Sequence, residues 1–386
     1  MIIHPASGRH HQYIYLKHKE LSELYYSVFI KSLADSLISV FTPIFFYSLG
    51  YSISRIALFN IIGYISISIF LPLGIYLDHK IGLKKTLSFG TVLSLLYYLG
   101  LTKLRTDLPF ELIAVFWGFG IAIYYGAYNI ELSQTLKKNS EGRSLSLFQV
   151  FSIIAGIIGP IIGSLLINFK SYSFLFVIAG AIYLLSILPL FKSKDYKIDK
   201  QVIDLKTLKT VDNRRKAVNY QLLGAIGVIS AILWPIFIYR NYRNIVALAA
   251  IVSITSLLLV VFILFEGKFV DANHKKSFKY GILSHSPTWI VRLFLISPFG
   301  LAISNFASSA TYELIDLSFS KSVWRKAAKI ENLGSYFVFR EINLEIGRIV
   351  CLAVIFLGLN SISIFVGASI LTLLQIFNLK VVEQVD

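Results

Sequence analysis

The chain has one cysteine in 386 residues, Cys351, and it falls inside an apolar run. An intramolecular disulfide is excluded, and a buried packing role is the simplest reading of that thiol. Charge is scarce as well, at 15%, where a soluble domain carries about 25%. The sequence holds no G-x-x-x-x-G-K-[ST], no H-E-x-x-H and no G-x-S-x-G. Those patterns supply the phosphate cradle of a nucleotide-driven pump, the zinc pair of a metallopeptidase and the nucleophile of a hydrolase. Without them an ATP-driven pump or an intramembrane enzyme is disfavoured, and no cofactor or metal is expected. His4, His10 and His11 have no cysteine or carboxylate beside them, so a polar tail is expected there rather than a metal tract. The early apolar core of a cleavable signal peptide is also missing.

What remains is strongly apolar: 56% hydrophobic residues and a mean hydropathy of +0.70. A helix needs about 20 apolar residues to cross the hydrocarbon core of a bilayer, so this length accommodates about a dozen spans. Cut at Lys/Arg and Gly/Pro punctuation, the expected spans are 22–48, 53–77, 86–102, 109–135, 145–168 and 172–191. Six more follow at 219–239, 245–266, 278–296, 298–319, 335–357 and 361–379. Residues 13–26 mix aromatics with Lys17, Lys19, Glu20 and Glu23, which suits a short helix at headgroup level before the first span.

The net charge of +16 is distributed by topology rather than gathered on one surface. With the N-terminus inside, 27 Lys and Arg residues fall in inner segments against six in outer ones. The positive-inside rule therefore places both termini and the central linker in the cytoplasm. That linker, 192–217, alternates cations with Asp195, Asp199, Asp204 and Asp212 and reads as a solvated connector with a short surface helix.

Between the second and third expected spans lies Gly74-x-x-x-Asp78-x-x-x-Gly82-x-Lys84-Lys85. Gly74 permits close backbone approach, Asp78 sits at a helix end, and the lysines mark a water-facing turn. The stretch resembles motif A of the major facilitator superfamily, at the place in the chain where that family carries it. Gly159-Pro160-x-x-Gly163-Ser164 in the fifth span resembles motif C of proton-coupled antiporters in the same superfamily, with Ser164 where a second glycine is usual; a tightly packed, kinked helix explains the same residues. The chain also repeats itself. Gly74-x-x-x-Asp78 recurs as Gly267-x-x-x-Asp271, Lys85-x-x-x-x-Gly90 as Lys276-x-x-x-x-Gly281, and Leu108-Pro109 as Ser297-Pro298. Two parallel repeats around a midplane site are the arrangement of such transporters.

Charges inside spans cost about 2.5–3.5 kcal/mol each at a helix centre and need a reason. Asp35 lies near the middle of the first span, with Lys31 one turn before it. Asp35 is a candidate proton carrier, and a structural Lys31–Asp35 pair is the alternative. Tyr128, Asn129 and Glu131 in the fourth span and Asn305, Glu313 and Asp316 in the tenth are candidates for the substrate cavity, because the resemblance implies that these helices line it. Glu131 and Asp316 also suit helix-end or gate roles. The eleventh span opens with Arg340-Glu341-x-x-x-Glu345-x-Gly347-Arg348. By resemblance, Asp78 pairs with the start of this helix or with Arg340 and closes a cytoplasmic gate. His285 and Pro287 are expected to mark a kink, Arg292 to snorkel outward, and Trp117, Trp234 and Trp289 to pack or to anchor at interfaces.

The reading is an all-α polytopic membrane protein with about 12 transmembrane helices in two pseudo-symmetric six-helix bundles. Residues 1–21 form a cytoplasmic tail and interfacial helix, 22–191 the first bundle, 192–217 a linker and 218–380 the second bundle. The expected function is secondary transport across the cell membrane, as proton-coupled export. Nutrient uptake, lipid translocation and a non-transporting sensor stay open. The expected partners are a small-molecule substrate, protons and the bilayer, with no nucleic acid, and the chain is expected to act as a monomer.

Overall fold

The computed structural model describes residues 7–104, 109–135, 141–192, 194–195, 197, 211–327, 332–358, 360–379 and 382; side chains are described outside 7–21, 133–135, 141–149, 211–213, 264, 267–268, 271 and 324–327. Among these residues the chain is helical, without strands. Helices α1 (Ser7–Ile38) and α2 (Phe41–Ser48) form the first span, broken by a turn at Ser39 and Val40 just before Pro43. Then follow α3 (Ile53–Ile81), α4 (Leu83–Lys103), α5 (Phe110–Thr135), α6 (Glu141–Phe169) and α7 (Tyr172–Leu185), the last extended by a 3₁₀ turn. After the linker, α8 (Val211–Val228) runs through a π turn at Ile229–Leu233 into α9 (Trp234–Tyr242). The chain continues with α10 (Ile245–Ala272), α11 (His274–Val291), α12 (Pro298–Ala327), α13 (Leu333–Phe356) and α14 (Ser361–Leu374).

Each of the twelve expected spans overlaps a helix, and among the described residues eight segments are long and apolar enough to cross a membrane by length and composition. The others, α4, α11, α12 and α13, carry the Ser, Thr, Tyr and charged side chains that lower their hydropathy. Many of their polar side chains are buried, among them Thr86, Thr91, Ser94, His285, Asn305 and Glu345, and Thr86, Thr91 and Ser94 bond back to carbonyls one turn earlier. Large apolar side chains such as Ile69, Phe169, Phe265 and Phe377 point outward instead, as a lipid-facing surface requires. The ninth span is displaced from its expected 278–296: Asn273 caps the helix at its start, and α11 continues through Pro287 to end at Val291.

In the first half α5 packs on α3 and α4, and α1 lies against α6 and α7; in the second, α12 packs on α10 and α11, and α8 on α13. The halves meet along α3 with α13 and along α6 with α10, which are equivalent pairs under the repeat. The repeat is visible at the level of contacts. Gly90 of α4 packs on the backbone of Tyr124, and Gly281 of α11 on that of Ile315. Thr86 Oγ1 donates to the Gly82 carbonyl (2.8 Å) and Ser277 Oγ to that of Asn273 (2.9 Å). Each of these partners lies 191 residues from its counterpart. The side chains of Gly267 and Asp271, the echo of Gly74 and Asp78, lie outside the described residues.

Candidate functional site

Lys31 and Asp35 are one helical turn apart on α1, and their charged groups meet at 2.5 Å. Their surroundings differ: the lysine side chain is 8% exposed and the aspartate 44%. The Lys31 ammonium is boxed by the rings of Tyr124 (4.9 Å), Tyr125 (5.3 Å) and Tyr183 (5.3 Å). An aromatic face attracts a cation through its quadrupole, so three faces hold the ammonium where water cannot. Tyr98 Oη donates to Asp35 Oδ1 at 3.3 Å. Tyr128 stacks on Tyr124, extending the wall of tyrosines on α5. The pair is therefore a buried cation bound to a carboxylate with one open side.

Helix α6 packs on α1 at the residues that follow Asp35. A side chain at Gly159 would run into Ser36, and one at Gly163 into the Leu37 carbonyl and the Phe41 ring. Ser36 Oγ donates across the same seam to the Ala155 carbonyl (2.8 Å). The Gly159-Pro160-x-x-Gly163 stretch is thus the surface on which Ser36, Leu37 and Phe41 of α1 ride. Gly156, one turn earlier on α6, looks towards Ser256 of α10 in the second half, where an added Cβ would lie 3.5 Å from Ser256 Oγ, an ordinary contact.

The end of the bundle that carries the α3–α4 turn, here the hinge end, is held by a polar layer. Gly74 packs on the α5 backbone at Ala122 and Ile123. Asp78 is fully buried, and neither of its oxygens has a hydrogen-bond partner among the described residues. Glu131, also buried, and Asp195 lie within electrostatic range of it. The expected pairing of Asp78 with Arg340 is not made. Arg340 Nη1 lies 3.3 Å from Glu341 Oε1 and donates to Asn129 Oδ1 at 3.5 Å, while Asn129 Nδ2 donates to Glu341 Oε1 at 3.4 Å. The cross-half contact is made by Asn129, one helix away from the aspartate.

Of the hinge lysines, Lys80 and Lys85 are exposed, as a water-facing turn requires, and Lys84 departs from that reading. Lys84 is buried, its ammonium bound to Glu23 of α1 at 2.7 Å. The backbone N–H groups of Lys84 and Lys85 donate to the Asp195 carboxylate (3.0 and 3.2 Å). A helix N-terminus leaves four N–H groups without intrahelical partners. Helices α3, α7, α10, α11, α13 and α14 cap themselves with Ser or Asn. Helix α4 starts at Gly82, which has no side chain to do so. Asp195, assigned from sequence to a solvated connector, supplies the cap from the linker.

The second half scatters the remaining candidates. Arg348 Nη1 binds Glu345 Oε1 at 2.7 Å and lies over the Tyr64 ring of α3, so this pair stands at the seam between halves. Glu313 and Asp316 are half-buried on α12, with Ser320 Oγ donating to Asp316 at 3.5 Å. Asn305 is not a neighbour of these carboxylates. Its Oδ1 accepts from Trp234 Nε1 (2.8 Å) and Arg292 Nη2 (3.4 Å), and its Nδ2 donates to Thr255 Oγ1 (3.0 Å). Arg292 does not snorkel: it is 2% exposed, between the rings of Trp234 and Trp289. His285 accepts at Nε2 from Trp289 Nε1 (3.2 Å). Since indole N–H only donates, the proton of a neutral His285 sits on Nδ1, facing Thr311 Oγ1 at 3.0 Å. Trp117 packs in the aromatic core with Phe59 and Tyr64.

Two helical halves joined along paired seams, with charged groups buried at their centres, define a polytopic helical membrane protein of the transporter type. The sequence pattern of the Major Facilitator Superfamily matches residues 24–312. The chain belongs to that superfamily, and so to its secondary transporters. Its fold is similar to that of a POT family transporter solved in complex with 5-aminolevulinic acid, at 13% identity and a TM-score of 0.73, over 94% of this chain and 96% of that one. It is also similar to the nucleoside transporter NupG, at 16% identity and a TM-score of 0.66, over 94% and 99%. A mutant form of NupG gives 17% identity and a TM-score of 0.68 over the same shares. No curated protein matches the chain.

Proposed function

We propose that this protein moves a small molecule across the cell membrane by alternating access, as a proton-coupled exporter. The observation that supports this most is the Lys31–Asp35 pair: a carboxylate open on one side, held by a caged lysine on the other. Protonation of Asp35 releases its hold on Lys31, and the energy of that release depends on which side of the membrane supplies the proton. Ser36 and Leu37, the residues after Asp35 on α1, pack on the Gly159–Gly163 surface of α6, and α6 also meets α10 of the other half. A change at Asp35 is thereby passed to the seam between bundles 22–191 and 218–380, which rock around a shared cavity. The linker 192–217, the hinge end and both termini lie in the cytoplasm. Export is favoured over uptake by the antiporter-like Gly159-Pro160-x-x-Gly163 stretch.

The test begins with a ligand screen by thermal stabilisation of the purified protein, since a compound that binds the folded state raises its melting temperature. A stabilising compound is then followed in proteoliposomes under an imposed pH gradient. Movement of the compound against a counterflow of protons is the expected result. Flux of equal size with and without the gradient contradicts proton coupling. Asp78→Asn protein that reaches the membrane and retains its function without any substrate flux points instead to a sensor.

A further inference from the structure

Both halves of the molecule bury a cation in an aromatic cage, but only one of the two cages contains its counter-charge. In the first half, Lys31 sits among Tyr124, Tyr125 and Tyr183 with Asp35 at 2.5 Å. In the second, the Arg292 guanidinium lies 4.1 Å from the centre of the Trp234 ring and 4.5 Å from that of Trp289. No carboxylate among the described residues forms an ion pair with it. The guanidinium carries five N–H donors. One contact, from Nη2 to Asn305 Oδ1 at 3.4 Å, is long, and Nε and Nη1 are buried with no partner.

We propose that Arg292 holds a small anion, a halide or a carboxylate, in an aromatic-walled site formed with Trp234, Trp289 and Asn305. A buried arginine without a partner is among the costliest arrangements a protein can keep, because its charge and its N–H groups are both stripped of water. Tryptophan faces offset part of the charge but accept none of the in-plane N–H bonds. Nη2 forms one edge of the guanidinium with Nε and another with Nη1, and each edge has the fork geometry that receives an anion. The surroundings are already committed. Asn305 Oδ1 is taken by Trp234 Nε1, its Nδ2 donates to Thr255, and Trp289 Nε1 is taken by His285. No protein acceptor remains in this cluster for the free N–H groups, so the acceptor comes from solution.

Access is short. Arg292 caps the end of α11, and the segment that follows it, with Phe294 exposed, leads to the start of α12 at the end opposite the hinge. The π turn at Ile229–Leu233 ends directly at Trp234. Turns of this kind often mark functional sites in helices, and this one positions the ring that covers the guanidinium. The inference does not depend on Asp35 coupling protons.

The test uses the full chain, purified in detergent in a sulfate buffer of fixed ionic strength, whose divalent anion is neither a halide nor a carboxylate. Iodide replaces sulfate stepwise while tryptophan fluorescence is read. Trp289 is fully buried, so collisions from solvent do not reach it, and an iodide held at Arg292 does. The expected result is a saturable quenching phase that chloride or acetate reverses. Reversal by chloride alone assigns the site to a halide, and reversal by acetate to a carboxylate. Trp117→Phe protein keeps the saturable phase, and Arg292→Gln protein loses it. If Arg292→Gln does not fold, the wild-type chain decides: chloride or acetate in place of sulfate raises its melting temperature by several degrees. Quenching that grows linearly with iodide and ignores both competitors, a saturable phase that survives Arg292→Gln, or an unchanged melting temperature overturns the proposal.

Discussion

The Asp195 carboxylate occupies the space that a side chain at Gly82 would fill. A Cβ built on Gly82 would fall 2.7 Å from Asp195 Cγ, and the Gly82 backbone itself has φ of +104°. The two residues are 113 positions apart and belong to a hinge and a linker. The glycine leaves α4 without a cap and leaves room for a distant one. This ties the connector between halves to the one turn that most identifies the family.

Asp195→Ala is expected to lower stability by about 1 kcal/mol, the usual value of a lost helix cap. Gly82→Ala is expected to cost more, about 1–3 kcal/mol for the backbone region alone, which is nearly exclusive to glycine, with displacement of Asp195 in addition. Melting of the detergent-purified variants measures both. An Asp195→Ala protein that melts with the wild type, while Gly82→Ala is strongly destabilised, would leave only the backbone effect and assign no stability to the cap.

Glu23 and Lys84 form a buried ion pair, both nearly inaccessible to water. Removing one partner strands the other charge. Lys84→Met or Glu23→Leu alone is expected to destabilise by about 3–5 kcal/mol, whereas the double variant Glu23→Leu/Lys84→Met recovers most of the loss. Expression and melting of the three variants form a double-mutant cycle. Additive losses would show that the pair is not coupled.

The small residues of α6 are expected to differ in their tolerance. Gly159→Ala and Gly163→Ala drive a methyl group into α1 beside Asp35, while Gly156→Ala meets only Ser256 at 3.5 Å. The first two are expected to lose most transport while still reaching the membrane, and the third to retain it. Flux in proteoliposomes at matched protein content reads the difference. Equal activity of all three contradicts the role given to this surface.

Asn129 bridges Arg340 and Glu341 at the hinge end. Asn129→Ala is expected to open that end. In a Cys351→Ser background, a cysteine placed at Tyr128 should react faster with an impermeant thiol reagent applied from the hinge side. An unchanged rate would place the closure elsewhere.

The parts of this molecule that are legible in the sequence are those set by local geometry or by lipid. Apolar length marks the helices, because a bilayer leaves a span few alternatives. The Lys31–Asp35 pair follows from four-residue spacing on one helix, and the Arg348–Glu345 pair from three. Asp195 is unreadable as a cap because its partners lie 110 and 111 residues away, and its own neighbourhood is rich in charge. Lys84 reads as a surface lysine because its burial depends on Glu23 of another helix. Arg292 sits near a helix end, where a long cation ordinarily reaches for the headgroups. Only the convergence of Trp234 and Trp289 from two helices turns it inward. The signal available beforehand is that an arginine without a nearby acidic residue shares the ninth span with one tryptophan, while a second tryptophan falls in the seventh.

Whether Asp35 carries the coupled proton is decided by comparing two fluxes in one preparation of Asp35→Asn protein. With a compound identified by thermal stabilisation, flux driven by a pH gradient is measured beside exchange of labelled for unlabelled compound without one. The gradient-driven flux should be lost while exchange persists, since the variant can rock when loaded but has no group to protonate. Gradient-driven flux at the wild-type level in Asp35→Asn would remove this carboxylate from the coupling.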